Sequence, residues 1–309
     1  MGRVAQLTLY GVITGSVYAL LGISFGLILG TTKRFHFAYV ASFAVGAYAT
    51  YWGAVEQRWP FAASMIFALV AAMAVGVASE VVAYEPVERR ARGDTLIPIF
   101  VASLGITIAV DNGIQMRFGS NGLPLSGLPV HSYRLGPVAF TSLDVMIFLV
   151  AWVCVIGLSI FLRTVVGSRI RAVQGNPELA EVVGIGRRGI HILVFAIGSG
   201  LAGVVGILWG SEYALTPTMG LSPVFSAFVV VFVAGSISSP IRFGMVGLII
   251  GLIASLSGIW LSARWQPLVV FSILIAYLVV RSMGFRGVGR ASLLSRRRVH
   301  APSEAVMNR

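Results

Sequence analysis

The sequence predicts an all-α, polytopic transmembrane helix bundle of about nine spans (range eight to ten), with the N-terminus outside and the C-terminus inside. Three observations predict it. Of 309 residues, 57% are hydrophobic and only 11% charged, with a mean hydropathy of +0.89. Soluble domains carry about 25% charged residues. The apolar residues gather in runs close to the ~20 residues that a helix needs to cross a ~30 Å hydrocarbon core. The basic residues concentrate between runs on one side of the predicted membrane, as cytoplasmic loops do. A soluble enzyme, a disordered chain and a disulfide-stapled secreted domain do not fit this composition.

The runs fall at 4–32, 35–55, 60–79, 95–115, 143–162, 189–211, 216–241, 243–263 and 265–281. They are apolar all round, unlike surface helices with one polar face. They lack the period-two alternation of barrel strands. The first is longer than the ~7–15-residue core of a signal peptide, and no small-residue cleavage site follows it. The runs at 95–115 and 265–281 are marginal, so either can also be read as a re-entrant piece.

Orientation follows from the basic residues. With the N-terminus outside, the outer segments hold Arg3, Arg58, Arg117, Arg134 and Arg264, and every other Lys and Arg lies inside or at the inner boundary. The net charge of +12 is thereby read as a membrane loop bias, not as a nucleic-acid surface. Only Lys33 among the cations is a lysine, and no basic patch with interleaved aromatics exists. The single cysteine, Cys154, sits inside an apolar run and is read as a core thiol.

Two loops exceed a simple connection. Residues 116–142, outside, carry Pro124, Pro129, Pro137 and four glycines, a composition of turns and short extended pieces. Residues 163–188, inside, contain a short helix with both ends marked. The chain thus divides into a transmembrane domain at 1–285 and a basic cytoplasmic tail at 286–309. The tail carries Arg296-Arg297-Arg298 and no apolar run. It is read as disordered or lying on the anionic inner leaflet, in contact with membrane lipid.

Glycine is abundant, with 36 residues, many inside the spans. Gly11-x-x-x-Gly15, Gly22-x-x-x-Gly26-x-x-x-Gly30 and Gly247-x-x-x-Gly251 each place glycine on one helix face. Small residues at that spacing let membrane helices approach closely.

Catalytic motifs fail on context. Gly22-Ile23-Ser24-Phe25-Gly26 fits a nucleophile-elbow pattern, but it lies inside an apolar span without the strand–turn–helix setting or His/Asp partners the pattern needs. There is no P-loop sequence and no metal-ligand spacing among His36, His131, His191 and His300. No catalytic or metal residue is therefore assigned, and no cofactor is expected on this chain. Glu80, Asp111 and Asp144 fall near span ends, so a carboxylate chain for proton coupling is absent from the spans. An energy source on another subunit is the natural alternative. Polar groups in or beside spans that can line a pathway are Tyr39, Ser42, Ser103, Asn112, Gln115 and Ser226.

The inner loop is the most informative stretch. Asn176 suits an N-cap and Pro177 the first helical position. Glu178 and Glu181 follow in the N-terminal half, where the helix dipole favours Glu178 most. Gly184 can take the left-handed position that ends a helix. A helix over 177–183 results, too short to be stable alone in water. It must dock, on its own bundle or on another subunit.

At this loop the sequence resembles the permease subunits of branched-chain amino acid ABC importers, the LivH-type half of the membrane domain. The match runs through Gly167, Arg169, Arg171, Ala172, Asn176, Pro177, Ala180, Gly184 and Ile185. It continues in the small-residue span Phe195–Gly206, in Pro217-x-x-Gly220 and in Ala227-Phe228. Gly15-Ser-Val-Tyr18, Gly46-Ala-Tyr48 and Ala102-Ser-Leu-Gly105 resemble the family's earlier spans, so the likeness covers about 8–285.

The resemblance implies several things. The loop is a coupling helix, with Arg169, Arg171, Asn176, Pro177, Glu178, Ala180 and Gly184 at the contact with an ABC ATPase subunit. ATP is bound by those partners, a second, LivM-type permease shares the pathway, and a periplasmic binding protein delivers the solute. Two departures bear on the solute: Phe37-Ala38-Tyr39-Val40 lacks the family's His and Gly, and Ala234-Gly235-Ser236-Ile-Ser-Ser-Pro240 replaces a glycine-rich segment. The solute is therefore a branched-chain amino acid or a related small polar molecule, since relatives are thought to move urea, short amides and aromatic acids. A passive channel or facilitator for urea or an amide stands as the alternative. A membrane-embedded enzyme is remote.

Overall fold

The computed structural model describes residues 2–90, 93, 95–125, 130–235, 240–262 and 265–299, with 284–299 described by backbone alone. Of the residues singled out above, Pro129, Ser236–Ser239, Arg264 and the tail beyond Val299 lie outside the described residues.

The first helix, α1 (Gly2–Thr32), runs through the middle of the bundle and is buried almost continuously from Gly15 to Ile28. It is followed by α2 (Tyr39–Tyr51), which a π turn extends to Glu56, and by α3 (Phe61–Ala78). A second π turn carries α3 into α4 (Glu85–Arg90), and α5 (Leu96–Phe118) follows. A hairpin, β1 (Ser132–Leu135) and β2 (Val138–Thr141), leads into α6 (Ser142–Phe161). The inner loop holds α7 (Val165–Gly175) and α8 (Pro177–Val182). The last four helices are α9 (Arg187–Glu212), α10 (Leu221–Ala234), α11 (Pro240–Leu256) and α12 (Gln266–Val299).

Helix α1 packs on α11, α10, α9 and α6, and α2 packs between α9 and α3. Glycine sets the closest crossings. A Cβ on Gly251 would lie 2.3 Å from the Cα of Gly15, and one on Gly247 would lie 2.5 Å from the Cα of Ala19. The glycine pairs expected on α1 and α11 therefore face each other, backbone against backbone. A second such crossing joins α2 and α9: a Cβ on Gly206 would lie 2.0 Å from the carbonyl oxygen of Phe43. In a membrane, where lipid is as apolar as leucine, close packing of this kind is a main source of helix association.

Each of the nine apolar runs contains a described helix, but these are not equally long. Seven described helices are long and apolar enough to cross a membrane, including Phe61–Arg90, Leu96–Phe118 and Gln266–Met283. The runs treated as marginal, 95–115 and 265–281, are thus full-length helices. The short ones are α10, with 14 residues, and the regular part of α2, with 13 before its π turn, about 20 Å at ~1.5 Å per residue. The reason is enclosure. Both lie inside the bundle, α2 buried nearly throughout its first ten residues. Non-helical backbone at membrane depth is tolerated where protein covers it. Helices α5 and α12 instead leave Ile97, Val101, Ile108, Ile275 and Val280 exposed, as lipid-facing elements do.

Outside the bundle, the expectation of turns and short extended pieces is met by the hairpin, which turns at Gly136 (φ +61°) and is tied to α1 by Gln6. The Gln6 amide donates to the Ala139 carbonyl at 2.7 Å and accepts from the Ala139 N–H at 2.8 Å. The capping box Thr141–Asp144 opens α6. The last helix runs on from the membrane domain into the tail, as far as Val299. No proline breaks the chain between Pro267 and Pro302, and 286–299 carries five Arg and two Leu, both good helix formers.

Candidate functional site

The inner loop folds as two helices, one more than the sequence indicated. Thr164 caps α7, accepting from Gly167 N–H at 3.4 Å. The α7 face of Gly167, Ile170 and Val173 is buried, and the Gln174 amide donates to Thr31 Oγ1 at 3.0 Å, docking α7 on α1. Asn176 ends α7 and caps α8: its Oδ1 accepts from Leu179 N–H at 3.0 Å, with Pro177 at the first helical position. Gly184 has φ +83°, its N–H donates to Glu181 O at 3.0 Å, and Ile185 N–H donates to Ala180 O at 2.9 Å. This pair of bonds is the Schellman closure that a left-handed glycine permits. The expected helix exists, ending at Val182.

Of the seven residues expected at the ATPase contact, the structure uses them differently. Ala180 is buried against the bundle. Arg171 donates to the Leu162 carbonyl and, at 2.9 Å, to Ser168 Oγ, so it braces α7 against the end of α6. Asn176, Pro177 and Gly184 shape the helix. Arg169 and Glu178 are exposed. Beside them, Leu179, Val182 and Val183 are 60%, 83% and 67% exposed. A six-residue helix with both ends closed, together with its C-cap Val183, thus presents three bare aliphatic side chains.

Next to α8 lies a charge network that sequence reasoning missed. Arg34, 5% exposed in the α1–α2 connection, donates to both Glu80 and Glu88. Arg187 reaches Glu88 at 2.6 Å, and Arg188 reaches Glu85 at 3.2 Å. His191 Nδ1 lies 3.3 Å from Glu80 Oε1, and His36 Nδ1 lies 2.8 Å from the Tyr84 hydroxyl. The network joins the start of α2, the end of α3 and the start of α9. Glu181 of α8 lines the same cleft as Arg34, Glu80 and Glu88. The only local signal was the density of charge at 80–90 and Arg187-Arg188 at the inner boundary.

The six pathway candidates do not converge. Tyr39 is buried with its hydroxyl on Ser24. Ser103 accepts from Phe37 N–H at 3.3 Å, close to the same junction. Ser42 is buried on α2 with no partner for its hydroxyl among the described residues. Ser226 donates to the Ser222 carbonyl at 3.1 Å on α10. Asn112 and Gln115 are exposed on α5, and the Asn112 amide is spent on the Ile108 carbonyl at 2.7 Å.

Comparison with known proteins places the chain. The family model for the branched-chain amino acid transport system permease component matches residues 7–278. The high-affinity branched-chain amino acid transport system permease protein LivH of Escherichia coli is 29% identical over 292 residues, covering 90% of this chain and 93% of the relative. The corresponding protein BraD of Pseudomonas aeruginosa is 25% identical, covering 90% and 94%. A chain of the solved PsaBC structure from Streptococcus pneumoniae in complex with Fab aligns over 89% of each chain, at 11% identity and a TM-score of 0.44. The protein therefore belongs to the branched-chain amino acid transport system permease component family, and it is a multi-pass permease subunit of the inner membrane, not a stand-alone channel.

Proposed function

We propose that this chain is one of two permeases in an ABC importer that carries a branched-chain amino acid or a related small polar solute inward. In this reading the N-terminus is outside, the C-terminus is inside, and α2 and α10 complete nine spans as short, enclosed crossings. A periplasmic binding protein delivers the solute, a LivM-type permease forms the other wall of the pathway, and separate ATPase subunits bind and hydrolyse ATP. The chain performs no covalent chemistry and holds no cofactor. It alternates between two arrangements that its partners favour unequally.

The observation that carries this reading is α8. Exposed Leu, Val and Val on a capped six-residue helix and its C-cap make a rigid apolar knob on the inner side. Exposed apolar patches of this kind mark interaction sites. Glu181 of the same helix lines the cleft of the charge network, which bridges the α1–α2 connection, the end of α3 and the start of α9, so a push on α8 reaches those three elements.

The test is reconstitution of the complete transporter in vesicles. Val182→Asp with Val183→Asp is expected to abolish ATP-driven uptake and co-purification of the ATPase while the membrane helices remain folded. Full uphill uptake by the chain alone, without ATP, would overturn the reading.

A further inference from the structure

At the end of the bundle opposite α8, the structure holds a cavity of about 470 Å³ between α1, the ends of α9 and α11 and the starts of α10 and α12. Ligand pockets typically measure ~300–1,000 Å³. Four polar side chains on its wall, Glu212, Thr14, Ser222 and Gln266, make no side-chain hydrogen bond or ion pair among the described residues. They come from four different elements, so local sequence does not explain why they meet. The Glu212 carboxylate is the unusual member. It is half-buried, and it closes α9 at the C-terminal end, where the helix dipole is negative and a carboxylate is disfavoured. Asp144, near enough to act on it electrostatically, adds a like charge, although its own oxygens are engaged in the α6 capping box. Aromatic rings stand around it: Trp209 and Tyr213 have centroids 4.7 Å apart, and Tyr10 lines the opposite wall. An unpaired carboxylate among tyrosine and tryptophan is the arrangement that holds an organic cation, through charge and through the ring faces.

We propose that this cavity is an outer solute site in which Glu212 accepts the protonated amine of the transported molecule. Thr14, Ser222 and Gln266 are left to hydrogen-bond the polar remainder of that solute. The inference rests on the permease reading and narrows it. A solute with a primary ammonium group fits, urea and amides lack the charge, and an amine-free acid is repelled by Glu212. Tyr18 on the cavity wall also hydrogen-bonds Ser226 of α10.

The test uses the assembled transporter in nanodiscs without ATP, with Trp209 fluorescence as readout and Trp209→Phe to identify its signal. L-Leucine and isopentylamine are expected to bind, and 4-methylpentanoate and urea are not. Glu212→Gln is expected to weaken isopentylamine binding tenfold or more, and Glu212→Asp less. Comparable melting temperatures for the three proteins separate recognition from folding. Equal binding of amine and acid, or unchanged binding in Glu212→Gln, would overturn the proposal. So would failure of the wild-type transporter to bind isopentylamine, the result expected if a partner's cation already occupies Glu212. These binding results are independent of ATP-driven uptake, whose loss in the wild-type complex would instead overturn the importer reading.

Discussion

Glu80 is 3% exposed, accepts from Arg34 and faces His191, and each of these partners is itself buried. A buried ion pair adds little net stability, because desolvation offsets attraction, but removing one member strands the other. Glu80→Ala is therefore expected to destabilise the folded bundle by roughly 3–5 kcal/mol, read as a lower melting temperature of the purified protein in detergent. The pair Arg117–Glu56 provides the contrast, since Arg117 is 59% exposed. Arg117→Ala is expected to change stability by less than about 1 kcal/mol. None of the buried network was legible in the sequence. Arg34 and Glu80 are 46 positions apart, and His191 and Glu80 are 111 apart. No local period encodes such pairings. Glu212 was invisible for a related reason: it sits one residue beyond an apolar run, where a carboxylate reads as ordinary loop.

Among the elements, what was legible is what depends on spacing along one helix. The glycine pairs of α1 and α11 were readable because residues four apart share a face, and the structure stacks those faces. Substituting Gly251→Ala would set a Cβ against backbone that cannot yield, and a loss of about 1–3 kcal/mol is expected. Gly105→Ala, on α5 with open space around it, is expected to be neutral or to stabilise by up to ~1 kcal/mol. Chemical denaturation of the two variants side by side checks both signs. Helix α8 was readable from Asn176, Pro177 and Gly184 alone. Asn176→Ala is expected to cost about 1 kcal/mol and, because α8 is so short, to lower uptake more than it lowers stability. The lengths of α2 and α10 were not readable. Their ends are set by which neighbours enclose them, and hydropathy carries no record of that.

For the molecule as a whole, the distribution of Arg predicts which end faces which compartment. In a Cys154→Ser background, Arg134→Cys in the hairpin is expected to react with a membrane-impermeant thiol reagent applied outside intact cells. Arg163→Cys, exposed at the end of α6, is expected to react only after the membrane is opened. The reverse pattern would invert the orientation. The crossing of α1 with α11 also bears on how the protein is made. Helix α1 is made well before α11, so it finds its most extensive packing partner only late in synthesis. Until then its glycine stripe is bare in the lipid, or shielded by the insertion machinery. A message cut short before α11 would yield a stub whose first helix has nowhere to lodge, marking it for the membrane's quality-control proteases.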